Sequence, residues 1–151
     1  MPTQRVTEGM RIVLRLLTGV ALVGLAVVHL RIASIYESVG KHPLSIGDQF
    51  YAQAVIAFVL TAALLVRPHR LVWACSLLFA IGSLAVLVYS RYHALPVYGF
   101  AGGFQEGWGV RGAKPAAVFE GLAIVLSLLG LVTARSAGGS AVPAARAALH
   151  R

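Results

Sequence analysis

Four apolar runs limit what this chain can become. Leu16–Leu30, Phe50–Val66, Leu71–Tyr89 and Ala116–Ala134 carry almost no charge, and between them lie short stretches rich in arginine, glycine and proline. In lipid the backbone has no water to bond to, so a spanning segment must be a helix or a strand of a closed barrel. A helical span needs about 20 apolar residues and a barrel strand only about 10. The runs therefore predict an all-α bundle of four transmembrane helices, at about 16–35, 50–66, 71–89 and 116–134. Residues 1–135 form one membrane domain in this reading, and 136–151, small and polar, are expected to be a disordered tail.

The rest of the composition agrees. The chain is 58% hydrophobic and 12% charged, far from soluble usage. Cys75 is the only cysteine, which excludes an intrachain disulfide, a CxxC redox pair and a cysteine zinc site. Its place in an apolar run argues against an exposed reactive thiol. The formal charge of +8 suggests nucleic acid at first sight. The cations, however, sit at the ends of apolar runs, where they orient a chain in a bilayer, and form no basic stripe. No nucleic-acid partner is expected. No convincing small-x-small cleavage site follows Leu30, so the first run reads as a retained span and not as a signal peptide.

Charge also gives a direction. Four spans place both termini on one side, with Arg5, Arg11, Arg15, Arg67, Arg70, Arg135, Arg146 and Arg151. The other side holds Arg31, Lys41, Arg91, Arg111 and Lys114. Eight cations against five favour both termini in the cytoplasm. Tyr36, Tyr51, Tyr89, Tyr92 and Trp108 then gather at the outer interface.

That topology turns scattered polar residues into one outer layer. His29 and Arg31 end helix 1 there, Gln53 begins helix 2, and Arg91 and His93 leave helix 3. Glu120 lies one and a half turns past Pro115, roughly 7 Å below it. An intramembrane carboxylate is costly and marks a functional site by default. Ala116, Ala123, Ile124 and Ser127 share its face, a small or mildly polar surface suited to helix packing. Ser76, Gly82 and Ser83 suggest close packing on helix 3. His29, Arg31, Gln53, Arg91, His93 and Glu120 are the candidate ligand-binding residues. Arg91 and Arg31 are the nearest cations to Glu120 in depth and His29 its nearest neutral partner, so Glu120 is either ionised and paired or protonated and hydrogen-bonded.

Several readings compete for this layer. Arg31 and Arg91 can snorkel to headgroups, and Glu120 and Gln53 can serve only as interhelical hydrogen bonds. An outward cleft with a few convergent polar groups is a common small-ligand or lipid-headgroup site. A metal held by His29, His93, Asp48 and Glu120 has no supporting HxxxH or ExxH spacing. Haem between His29 and His93 would need His93 to re-enter the bundle. Proton-coupled transport through Glu120 would need deep charged groups in the inner halves of the helices, and the sequence has none. The glycines of the 91–115 loop match no phosphate-loop pattern. They predict a compact loop over the bundle mouth, anchored by Phe100, Phe104 and Trp108.

Several short marks occur together: His29-Leu30, Gly47-x-x-Phe50, Tyr98-Gly99-Phe100 with Glu106, and Glu120. On these the chain, from about Gly19 to Leu131, resembles a family of small, uncharacterised four-helix membrane proteins frequent in actinobacteria. It is also similar in size and layout to DoxX-like proteins. The resemblance implies four spans and the cytoplasmic membrane of a bacterium, and no reaction. The loop at 36–46 departs from the family pattern. The expected function is an accessory or binding protein with an outward polar pocket. The alternative is a membrane redox component binding quinone or haem. Partners are the bilayer and a second membrane protein or another copy of the chain. Neither a cofactor nor an enzymatic reaction is identified.

Overall fold

The computed structural model describes residues 2–138. Four helices dominate it: α1 Pro2–Ala33, α2 Ile46–Val66, α3 Arg70–Tyr92 and α4 Ala113–Gly138. All four are long and apolar enough to cross a membrane, which makes this an all-α, four-span fold of the kind expected of a small membrane protein. A 3-10 turn, Ser34–Tyr36, ends α1. Between α3 and α4 two short strands, β1 Leu95–Val97 and β2 Phe100–Phe104, pair as an antiparallel hairpin.

The helices run further than the apolar runs. α1 reaches back to Pro2, because isolated arginines such as Arg11 and Arg15 are good helix formers and do not interrupt a backbone. α2 starts at Ile46, four residues before the expected Phe50. The Ser45 side chain accepts from the Asp48 amide at 3.1 Å, and the Asp48 carboxylate accepts from the Ser45 amide at 3.0 Å. This reciprocal cap satisfies two otherwise orphaned donors. It also removes Asp48 from any metal set: the carboxylate is taken by Ser45 and by His42 Nδ1, 2.8 Å away. α3 carries on through Tyr92, and α4 continues to Gly138. The rest of the expected tail lies outside the described residues.

α1 is the central helix. It packs along α2 and α4, and α3 packs along α4, while α2 and α3 share far less contact. The seams are lined by small side chains: Ala21, Ala26, Ala54, Ala57, Ala80, Ala123, Thr18, Ser76 and Ser127 are all buried. Small residues let helix backbones approach where lipid removes the hydrophobic drive for association. Leu22, Leu25, Leu64 and Trp73 fill the space between them, while many other large apolar side chains point the other way. Val55, Val59, Leu78, Val125 and Leu128 are exposed on the outside of the bundle, as a lipid-facing surface requires. Cys75 lies on this outer surface too. Gly82, expected in a seam, has open space around it and faces outward.

The hairpin was not expected, since the glycines of this loop read as irregular chain. Its turn is Tyr98–Gly99, and Gly99 takes the positive φ of +74° that a two-residue connection demands. Phe104 is buried beneath it as an anchor, whereas Trp108 stays partly exposed. The expectation for Phe100 concerns a side chain outside the described residues. The 37–46 loop joins the same cap: the Lys41 amide donates to Tyr98 O at 2.9 Å. Below it α2 meets the end of α1 at Gly47, where an added Cβ would sit 2.7 Å from Ala33 O and 2.9 Å from the Glu37 backbone. Loop, hairpin and helix ends thus close one end of the bundle.

Candidate functional site

Two polar layers lie at the hairpin end, one above the other. The upper layer is centred on Arg91, in the last turn of α3, whose side chain is only 6% exposed. Its Nη1 donates to Gly107 O at 2.9 Å and its Nε to Leu87 O at 3.2 Å. The Glu106 carboxylate is 3.7 Å away, and the guanidinium sits 5.7 Å from the centre of the Trp108 ring. Glu106 in turn accepts from Tyr36 Oη at 2.6 Å, and its amide donates to Ser90 O at 3.2 Å. Arg91 and Glu106 thus both have partners. Tyr36 is buried and turned inward, unlike the exposed Tyr51, Tyr89 and Tyr92.

The lower layer is built by all four helices. Glu120 of α4 is 1% exposed and His29 of α1 is 3% exposed. Gln53 comes from α2 and Ser83 from α3. Ser83 lies eight residues before Arg91, hence about 12 Å further along α3. Ser83 Oγ is 3.0 Å from Gln53 Oε1 and in short contact with Glu120 Oε1. A serine hydroxyl has one hydrogen to give. The trio is therefore joined either by a proton on Glu120 that is donated to Ser83, or by the Gln53 amide turned so that its NH₂ donates. Neither arrangement involves a cation.

Two atoms of this layer remain open. Glu120 Oε2 and His29 Nδ1 are buried with no hydrogen-bond partner among the described residues. Leaving a buried polar group unsatisfied costs about 1–3 kcal/mol, so such atoms mark a place where water or a ligand belongs. Both residues line one cavity of about 60 Å³, together with Gln53, Ser83, Phe50 and Val86. An adjoining cavity of about 30 Å³ also reaches His29 and continues under Tyr36 and Glu106. Phe50 stands between the layers. It stacks on His29 with ring centres 5.3 Å apart and meets Tyr36 edge-on at 5.4 Å. The larger cavity lies along the thin seam of α2 and α3, and the exposed Gln49 and Val86 stand at its rim.

The six candidate residues thus divide. His29, Gln53 and Glu120 come together, and Arg91 lines the cavity from the layer above. Arg31 is exposed and is not among the lining residues. His93 is exposed and tilts against Tyr89 at 4.7 Å, so it does not face His29. Of the two states open to Glu120, the arginine pair is not formed, for a reason of depth: Arg91 sits two turns above Ser83, the partner of Glu120, and is engaged by Glu106 and backbone carbonyls. Among the described residues no cluster of three His, Cys, Asp or Glu could hold a metal ion.

Sequence reasoning named Tyr36, Phe50, Ser83 and Glu106 for other reasons and left them out of the candidate site. Ser83 was the most accessible of these. Ser76, Ser83 and Ser90 recur every seven residues on α3, and two of the three are fully buried, which is the pattern of one inward stripe. In comparisons with known proteins, no family model, curated protein or solved structure matches the chain. The similarity to the actinobacterial four-helix family therefore rests on its short motifs.

Proposed function

We propose that the protein is a non-enzymatic membrane accessory protein that binds the polar end of an amphipathic molecule in the α2–α3 cleft. One observation carries the reading: Glu120 Oε2 and His29 Nδ1 stand buried and unpartnered on the floor of a cavity with apolar walls. A structural polar cluster would consume its own donors and acceptors, as the Arg91 layer does. The cleft lies in the weakest helix seam, so a ligand can enter sideways from the bilayer with its apolar part still in lipid. Ligand sites of this sort combine apolar walls with a few placed polar groups. With both termini in the cytoplasm the cleft belongs to the outer leaflet of a bacterial cytoplasmic membrane.

The redox alternative survives in one form. A quinone presents carbonyl oxygens that a protonated Glu120, Ser83 or His29 can bond. Haem fares worse, because His93 faces away from His29. Mass spectrometry of the full chain, extracted together with its surrounding bilayer, tests the binding reading. The wild-type protein should carry a stoichiometric small molecule, and Val86→Trp, which fills the rim, should lose it. Protein that carries nothing, or a variant that keeps full occupancy, would contradict the assignment. A visible spectrum of the same sample separates a coloured redox group from a colourless ligand.

A further inference from the structure

The end of the bundle opposite the hairpin carries a second constellation. A groove of about 510 Å³ lies between the start of α1, the α2–α3 turn and the last turns of α4. That size is within the range of small-molecule sites, about 300–1,000 Å³. Arg11, Arg15 and Arg70 line it, against Glu8 as the one acidic lining residue.

The three arginines are not equivalent. Arg15 donates through Nε to Leu64 O at 3.1 Å, and through Nη2 in a short contact to Leu65 O. It caps the carbonyl end of α2, where a cation complements the helix dipole. Arg11 donates through Nη2 to Thr133 O at 3.2 Å, but its Nε is buried with no hydrogen-bond partner among the described residues. Arg70 is exposed on the first residue of α3, beside the positive end of that helix dipole. So one guanidinium is structural, one is half used, and one has no bonded partner among the described residues.

We propose that this groove binds the phosphate of an anionic phospholipid headgroup, between Arg11 and Arg70, with Trp73 as its apolar floor. Guanidinium forks match phosphate oxygens in geometry as well as charge. Basic pockets between transmembrane helices at a membrane surface are suited to such headgroups. The lipid form of the phosphate is favoured by what adjoins the groove. Ile12 and Leu16, four residues apart on one face of α1, are both about half exposed, and lead from the groove along the span. Acyl chains can follow that strip while the headgroup stays at the interface. The site is separate from the outer cleft and does not depend on what that cleft holds.

Native mass spectrometry of the detergent-solubilised full chain tests the assignment, with phosphatidylglycerol, phosphatidylcholine or inorganic phosphate added in separate arms. Wild-type protein should retain phosphatidylglycerol in preference to phosphatidylcholine. Arg70→Gln should weaken that retention about fivefold, the effect of one surface cation near an anionic headgroup. Arg11→Gln with Arg70→Gln should abolish the preference. Arg31→Gln, at the opposite end of the molecule, should leave it unchanged. Arg70 has no bond to lose among the described residues, so its variant should keep the wild-type thermal midpoint. Equal retention of the two lipids would overturn the proposal, as would an equal loss in Arg31→Gln. Retention of inorganic phosphate without a preference between lipids would assign the groove to free anions and overturn the lipid reading.

Discussion

The upper and lower polar layers of the hairpin end use similar residues to different effect. Around Arg91, the carboxylate of Glu106, the Tyr36 hydroxyl and two backbone carbonyls answer the charges of Arg91 and Glu106. About 12 Å deeper, Glu120, Ser83 and Gln53 bond to one another, yet Glu120 Oε2 and His29 Nδ1 stay open. The first layer closes the bundle mouth, and nothing more is needed to account for it. The second is left incomplete by the protein itself, at a depth where water is scarce and an unmet polar group is expensive. That contrast separates scaffold from site more reliably than the presence of charge does.

The sharpest way to break the contrast is to remove the upper clamp. Glu106→Ala should destabilise the fold by about 3 kcal/mol, since it leaves Arg91 without its carboxylate and Tyr36 without an acceptor. Thermal unfolding in detergent measures this. A change within about 0.5 kcal/mol, the scatter of surface substitutions, would mean that the clamp is ornamental.

Phe50 couples the layers, so its effect should be intermediate. Phe50→Leu keeps most of the apolar volume but loses the stack on His29 and the edge contact with Tyr36. A cost of about 1 kcal/mol is expected, the scale of an aromatic contact beyond its area. It should come with altered ring signals of both His29 and Tyr36 in nuclear magnetic resonance spectra. If only one ring responds, Phe50 belongs to one layer and the two are independent.

The smallest effect sharpens the contrast most. Glu120→Gln and Arg91→Gln should be additive in stability within about 0.5 kcal/mol, because Glu120 bonds Ser83 while Arg91 bonds Glu106 and backbone carbonyls. A larger coupling in the double mutant would restore an ion pair between the layers and merge them into one network.

Much of this was legible in the sequence. Apolar run length gives the four spans, and the depth of His29, Gln53 and Glu120 within those runs places three helices at one level. What escaped depends on direction more than on depth. Arg31 and His93 lie at the right height, but Arg31 points outward and His93 follows the end of α3, facing Tyr89. Arg91 is at the mouth, where the loop supplies Glu106 as a nearer partner than Glu120. Glu106 stands out in sequence only as a short motif mark, and its partners appear once the Tyr98–Gly99 turn folds the hairpin back over Ser90. The serine stripe of α3 was readable by its spacing of seven, yet serine in a membrane helix suggests packing as readily as bonding. The early start of α2 was readable too, in the Ser45-x-x-Asp48 cap.

The central claim is that the lower layer binds and the upper layer holds. Glu120→Gln and Glu106→Gln, compared side by side for bound small molecule by native mass spectrometry and for thermal midpoint, test it directly. Glu120→Gln should lose at least about tenfold in occupancy, the value of one good hydrogen bond to a ligand, with a midpoint near wild type. Glu106→Gln should lower the midpoint and keep the occupancy of the folded fraction. The opposite pattern, with occupancy lost in Glu106→Gln and kept in Glu120→Gln, would contradict the account.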